Sequence, residues 1–238
     1  MALSILQIAK NAADELAINR PTTLIGASEG DDTPAKLYRQ LVKTVKHLHA
    51  TYDWQVLYRE KTFTTIAAAA QTGAIPTDFL RFVPETVYNR TRRYKLQGPL
   101  TADEWQAHQA LLSTQVYMAY RIRGNSFLLV PTPPAGETIA YEYITNTIGT
   151  SSDGSTERTD FADDADVTYF DGELVTLGTV WRYRQAEGND YAEPFRDYQL
   201  MLADRIKMDG GRRRLDMSTG SVDRVPVPPR APDTLVFN

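Results

Sequence analysis

Hydrophobic period changes twice along this chain, and that change limits the folds open to it. Ile5, Ile8, Ala12 and Leu16 recur at helical spacing, as do Leu37, Leu41, Val45, Leu48 and Tyr52. From Trp54 to Ile66 the pattern becomes an alternation of aromatic, β-branched and charged residues, which is the signature of strands. Helical spacing returns with Leu174, Leu177 and Trp181, and again with Phe195, Tyr198, Leu202 and Ile206. The expected class is therefore α+β. Residues 1–53 and 170–210 are read as an antiparallel helix bundle, and 54–169 as a small antiparallel β insertion between its halves. Residues 211–238 are expected to form an extended C-terminal tail.

Local signals set the element boundaries. Ser4 and Gln7 have capping-box spacing, and Arg20-Pro21 predicts an end to the first helix near Asn19. Thr33 is the expected N-cap of the second helix, with Pro34 at its first position. Val87 to Leu96 reads as a strand in which Arg90 and Arg92 share one face and Arg93 takes the other. Thr101 and Glu104 open a short helix near 101–112 that includes Trp105 and Leu111. Tyr117–Ile122, Ser126–Val130 and Thr138–Ile144 complete a largely meander-like β unit. Residues 145–166, rich in Thr, Ser, Gly and Asp, are expected to be a long surface loop. The third long helix should end near Gly188. The fourth should begin around Pro194 and close at Gly210-Gly211 with a left-handed cap.

The tail cannot build a core. Four prolines between Pro226 and Pro232 block a helix and favour extended backbone. It has a basic root (Arg212, Arg213, Arg214, then Leu215), a stiff spacer that includes Val225, Pro226, Val227 and Pro228, and an apolar plug of Leu235, Val236 and Phe237. At polyproline extension its reach is on the order of 85 Å, far beyond a domain radius of roughly 18 Å. A cable ending in a plug suits insertion into a groove on another subunit, with folding back onto its own domain as the alternative. The basic root is open to three readings: docking to a neighbour's carboxylates, contact with nucleic-acid phosphates, or cations placed at the favourable end of a helix dipole. Docking fits the tail best, then the helix dipole, and nucleic acid last, which makes these residues the candidate site.

Chemistry-bearing patterns are sparse. The formal charge of −4 argues against coating nucleic acid by bulk electrostatics. With no cysteine, neither a disulfide framework nor a thiolate metal site can form. No phosphate loop, dinucleotide turn, zinc-protease helix or nucleophile elbow occurs. His47 and His49 lie at i and i+2 on different helix faces, and His108 stands apart. Asp160, Asp163, Asp164 and Asp166 fail as a calcium loop, because Tyr169 and Val175 stand where Gly and Glu are needed. They are expected to form a solvated acidic loop. No apolar run approaches the ~20 residues that span a bilayer, and the N-terminus has no basic region before an apolar stretch. No cofactor, metal or membrane partner is expected.

Several stretches together resemble the head-to-tail connector, or adaptor, proteins of tailed bacteriophages, especially podovirus-type tail tubular protein A and related neck proteins. They are the second helix running into Tyr52-Asp53-Trp54, Lys61–Ile66, Ile75 to Phe82, and Gly98-Pro99-Leu100 through Glu104-Trp105. Trp181, Gly188 to Tyr191 and Asp209 to Arg212 extend the likeness. The resemblance implies a structural virion protein rather than an enzyme. It implies a homo-oligomeric ring of about twelve copies at the capsid vertex, assembled in the host cytoplasm. Its implied partners are the portal protein, a tail or nozzle protein, and genomic DNA passing through the channel unread. The alternatives are a nucleic-acid-binding module using Arg212–Arg214, or a carboxylate-dependent hydrolase using the Asp160–Asp166 stretch.

Overall fold

Ser4 begins the helical part as expected. Its backbone is extended and its hydroxyl accepts the Gln7 N–H at 3.2 Å, opening α1 (Ile5–Glu15). The computed structural model describes residues 3–26, 32–110 and 117–210. Among the described residues, four further α-helices follow: α2 (Asp32–Thr51), α3 (Ala102–Ala110), α4 (Gly172–Ala186) and α5 (Ala192–Asp209). Of these, α4 packs against α1, α2 and α5. Leu37, Leu41, Val45 and Leu48 are fully buried, so the predicted stripe of α2 is its core face.

Three helix ends depart from expectation. α1 stops at Glu15, not near Asn19. Ala17 turns left-handed (φ 54°), so the Ala17 and Ile18 N–H groups bond back to the carbonyls of Asp14 and Ala13. This closes the last turn while Leu16 and Ile18 pack on Ala12, Ala13, Leu37 and Val180. α2 starts at Asp32, leaving Pro34 inside the first turn, where an N–H would be unbonded anyway. Gly210 keeps right-handed backbone (φ −71°) and simply continues the bonding of α5 to Ile206; Gly211 lies outside the described residues.

The strands are β1 (Tyr58–Thr64), β2 (Ala70–Gln71), β3 (Phe79–Phe82), β4 (Tyr88–Asn89), β5 (Tyr94–Lys95) and β6 (Ala119–Arg123). β7 (Ser126–Val130), β8 (Thr138–Thr145), β9 (Gly149–Thr150), β10 (Glu157–Arg158) and β11 (Val167–Thr168) complete them. Every pairing between these strands is antiparallel, and the fold is mixed helix and antiparallel sheet. The meander expectation is corrected. β8 takes β1 along one edge, in register from Tyr58↔Ile144 to Thr64↔Thr138, and β3 and β4 along the other. A strand buried on both faces except at Glu142 and, in part, at Thr138 serves as common partner to three others, which local hairpins cannot supply.

Val87–Leu96 is not one strand. β4 and β5 form a hairpin whose turn holds Arg90 to Arg93. Asn89, fully buried, makes that turn: its side-chain oxygen accepts the Arg92 N–H, and its amide donates to Glu137 at 2.6 Å. The three arginines therefore do not alternate across a strand. Arg90 pairs with Glu60 at 2.8 Å, Arg92 pairs with Glu137, and Arg93 turns left-handed (φ 61°). The capping box of α3 is present in full. Thr101 N–H donates to Glu104 at 2.8 Å, and Glu104 N–H to the Thr101 hydroxyl at 3.3 Å. Leu111 falls outside the described residues.

The stretch from 145 to 166 is more ordered than a solvated loop. β9 pairs with both β10 and β11 in a separate three-stranded sheet. Asp153 closes the connecting turn by accepting from the Ser151 and Ser155 hydroxyls and the Ser155 N–H, which hold its carboxyl down at about 2. Two cores result. One joins α1, α2, α4 and α5 to Trp54, Ile144, Ile148, Phe161 and Phe170, and the other is an aromatic cluster around Phe63, Tyr120, Phe127 and Tyr141.

Candidate docking surface

Arg212, Arg213, Arg214, Leu215, Val225, Pro226, Val227, Pro228, Leu235, Val236 and Phe237 all lie outside the described residues. What the structure does place is the end of α5, which precedes the arm in the chain. α5 ends beside the C-terminal end of α2, where the Asp209 carboxylate accepts the Gln55 N–H at 2.8 Å.

The acidic stretch has a different role from the one its composition suggests. Asp166 is 1% exposed, and its carboxylate accepts the N–H groups of Ala162 (2.8 Å) and Asp163 (3.0 Å), with Arg158 3.7 Å away. The Asp164 carboxylate accepts the N–H groups of Leu24 and Ile25, and the Asp164 and Asp166 carbonyls accept those of Leu6 and Ile5. These acids therefore pin the 161–166 segment to α1 and to the chain that follows it. A repelling, hydrated cluster would leave those donors unpaired. Among the described residues, no group of three or more His, Asp or Glu side chains is placed to hold a metal ion. His49 Nε2 lies 2.9 Å from the Thr145 carbonyl, and His47 Nδ1 lies 2.9 Å from the Thr51 hydroxyl. Burial, and then the Arg182 charge, lower the pKa of His47.

By fixing Leu24 and Ile25, Asp164 also builds one wall of a surface groove. Its other wall is the outer face of α2, with Ala35, Tyr38 and Val42 at helical spacing. The groove measures about 890 Å³, within the range of ligand-binding pockets, and its floor is apolar. Arg39, Lys43 and Lys46 line its rim at spacings of four and three, which puts all three cations on one side. Lys46 pairs with Asp160 at 2.5 Å, whereas Arg39 and Lys43 make no ion pair with the described residues. The Tyr38 hydroxyl donates to the Phe161 carbonyl at 3.2 Å, which fixes the ring at the mouth, and burial raises its pKa.

Sequence reasoning passed over this groove. One signal was present: Tyr38 and Val42 form a second apolar pair beside the main stripe of α2, flanked by a basic row. Asp160 comes from a distant part of the chain, and Leu24 is held at the groove by Asp164, which is equally distant in sequence.

Among the described residues, no helix is long and apolar enough to cross a membrane. None of the curated proteins compared with the chain matches it. The SU10 adaptor protein family matches residues 5–226, from the first residue of α1 to the Pro-rich spacer of the arm. With the match covering nearly the whole chain, the protein belongs to the SU10 adaptor protein family, a family of phage adaptors.

Proposed function

We propose that this protein is a ring-forming head-to-tail adaptor that joins the portal to the tail and lines part of the DNA passage. The observation that carries the reading is the family match across residues 5–226, which takes in every described helix and strand together with the arm's basic root. The net charge of −4 also suits a passage, because weak or repulsive contact lets a polyanion slide. In this reading about twelve copies close a ring at the neck of the virion, as in podovirus-type tail tubular proteins. The portal protein and a tail or nozzle protein are its neighbours, and assembly takes place in the host cytoplasm. The hydrolase alternative loses support, since Asp164 and Asp166 are committed to holding backbone N–H groups.

Phage propagated without this protein, and without a complementing copy, should accumulate DNA-filled or leaking heads that carry no tail. Supplying the protein in trans should restore tailed particles. Tailed, infectious particles made in its absence would contradict the proposal.

A further inference from the structure

The groove on α2 has an apolar floor and a basic rim, and nothing among the described residues fills it. We propose that it receives the Leu235-Val236-Phe237 plug from the C-terminal arm of a neighbouring copy of this chain. The inference rests on the reading that the protein assembles with itself.

Chemistry comes first. Leu24, Ile25, Ala35, Tyr38 and Val42 present an apolar surface that water covers at a cost, and three consecutive large apolar side chains are the matching payload. Asp233 lies two residues before the plug and meets a rim on which Arg39 and Lys43 have no ion-pair partner among the described residues. The five residues between Gly26 and Asp32, Ala27-Ser28-Glu29-Gly30-Asp31, contain no large apolar side chain and cannot supply that payload.

Reach comes next. The spacer between Gly210 and Leu235 spans roughly 27 Å as a coil and about 75 Å in polyproline extension. The arm leaves α5 near Gln55, whereas the groove centres on Tyr38 to Val42, on the order of 20 Å back along α2. Distance alone therefore allows either the chain's own groove or a neighbour's.

Direction decides between them. Gly178 of α4 lies against Thr44, which marks the face of α2 that α4 covers. Val42 and Lys46 each lie two residues from Thr44, which places them about 160° around the helix from it. The groove thus opens on the side of α2 turned away from α4, and α5 packs on α4. An arm leaving α5 has to round α2 to enter its own groove. A copy beside it in a ring can offer the same groove face-on, and a heterologous contact repeated around the ring closes it.

The absence of cysteine makes the test direct. Full-length Val42→Cys and Val236→Cys proteins would be co-expressed during infection, and both the purified mixture and the particles oxidised. The expected product is a covalent dimer containing one copy of each variant, absent when either variant is oxidised alone. In a second arm, Phe237→Asp should weaken self-association at least about tenfold while leaving the thermal transition of the isolated protein unchanged. A Val42→Cys/Val236→Cys chain that oxidises only within itself would overturn the proposal by assigning the groove to its own arm. So would a groove cysteine that cross-links only to a different virion protein, or no mixed dimer in either sample. If particles contain the protein as a ring without the cross-link, the groove inference alone fails. If the protein never self-associates, the adaptor-ring reading fails with it.

Discussion

Gly178→Ala should destabilise the protein by about 2 kcal/mol, although alanine is the better helix former by about 1 kcal/mol. A Cβ at Gly178 would lie 2.2 Å from the Thr44 methyl and 3.1 Å from the Tyr198 ring. Neither neighbour can give way easily. The Thr44 hydroxyl is bonded to the Gln40 carbonyl at 2.9 Å, which fixes its rotamer, and Tyr198 is 2% exposed. The added methyl must therefore push α2 and α4 apart, at a place where both helices bury their core faces. For a chain this size the loss corresponds to a melting temperature lower by roughly 4–8 °C. Adding Thr44→Ala removes the opposing methyl, so Gly178→Ala should cost less in that background. A rise in melting temperature for Gly178→Ala alone would mean that the two helices do not approach as described.

Asp166→Ala should cost about 3 kcal/mol, because it leaves two N–H groups in the segment without their acceptor and removes the carboxylate facing Arg158. Asp166→Asn keeps one acceptor oxygen and should cost about half as much. Urea unfolding of the three proteins separates the possibilities. Were the acidic stretch merely a hydrated surface loop, all three midpoints would coincide.

That contrast shows where the sequence was readable. The caps at Ser4 and Thr101, and the buried stripe from Leu37 to Leu48, depend on residues three or four apart, and each lies in the structure where spacing puts it. The role of β8 was hidden because its partners β1, β3 and β4 lie far from it in the chain, and period-two patterning names no partner. The arginines of Arg90 to Arg93 were misread because Asn89 turns the chain by a side-chain bond that leaves no periodic trace. The acids were misread for a similar reason. Composition marks Asp164 and Asp166 as water-loving, but their partners include Leu24, 140 residues from Asp164 in the chain, and the start of α1. The groove was half legible, in the Tyr38–Val42 pair and the basic row, and its far wall was not.

These structural roles bear on function. Asp164 ties the 161–166 segment to α1 through its backbone carbonyl, and through its carboxylate it holds Leu24 and Ile25 in place and so shapes the groove on α2. In the proposal above, the groove is the docking face and the Leu235-Val236-Phe237 plug of a neighbouring copy is its occupant, a contact that can repeat around an axis.

The most direct measurement is a reconstruction of the virion neck at a resolution that traces the chain. The account predicts a closed ring of this protein between portal and tail, with a central channel wide enough for duplex DNA. Density for this chain elsewhere in the particle, or a neck built without it, would contradict the account.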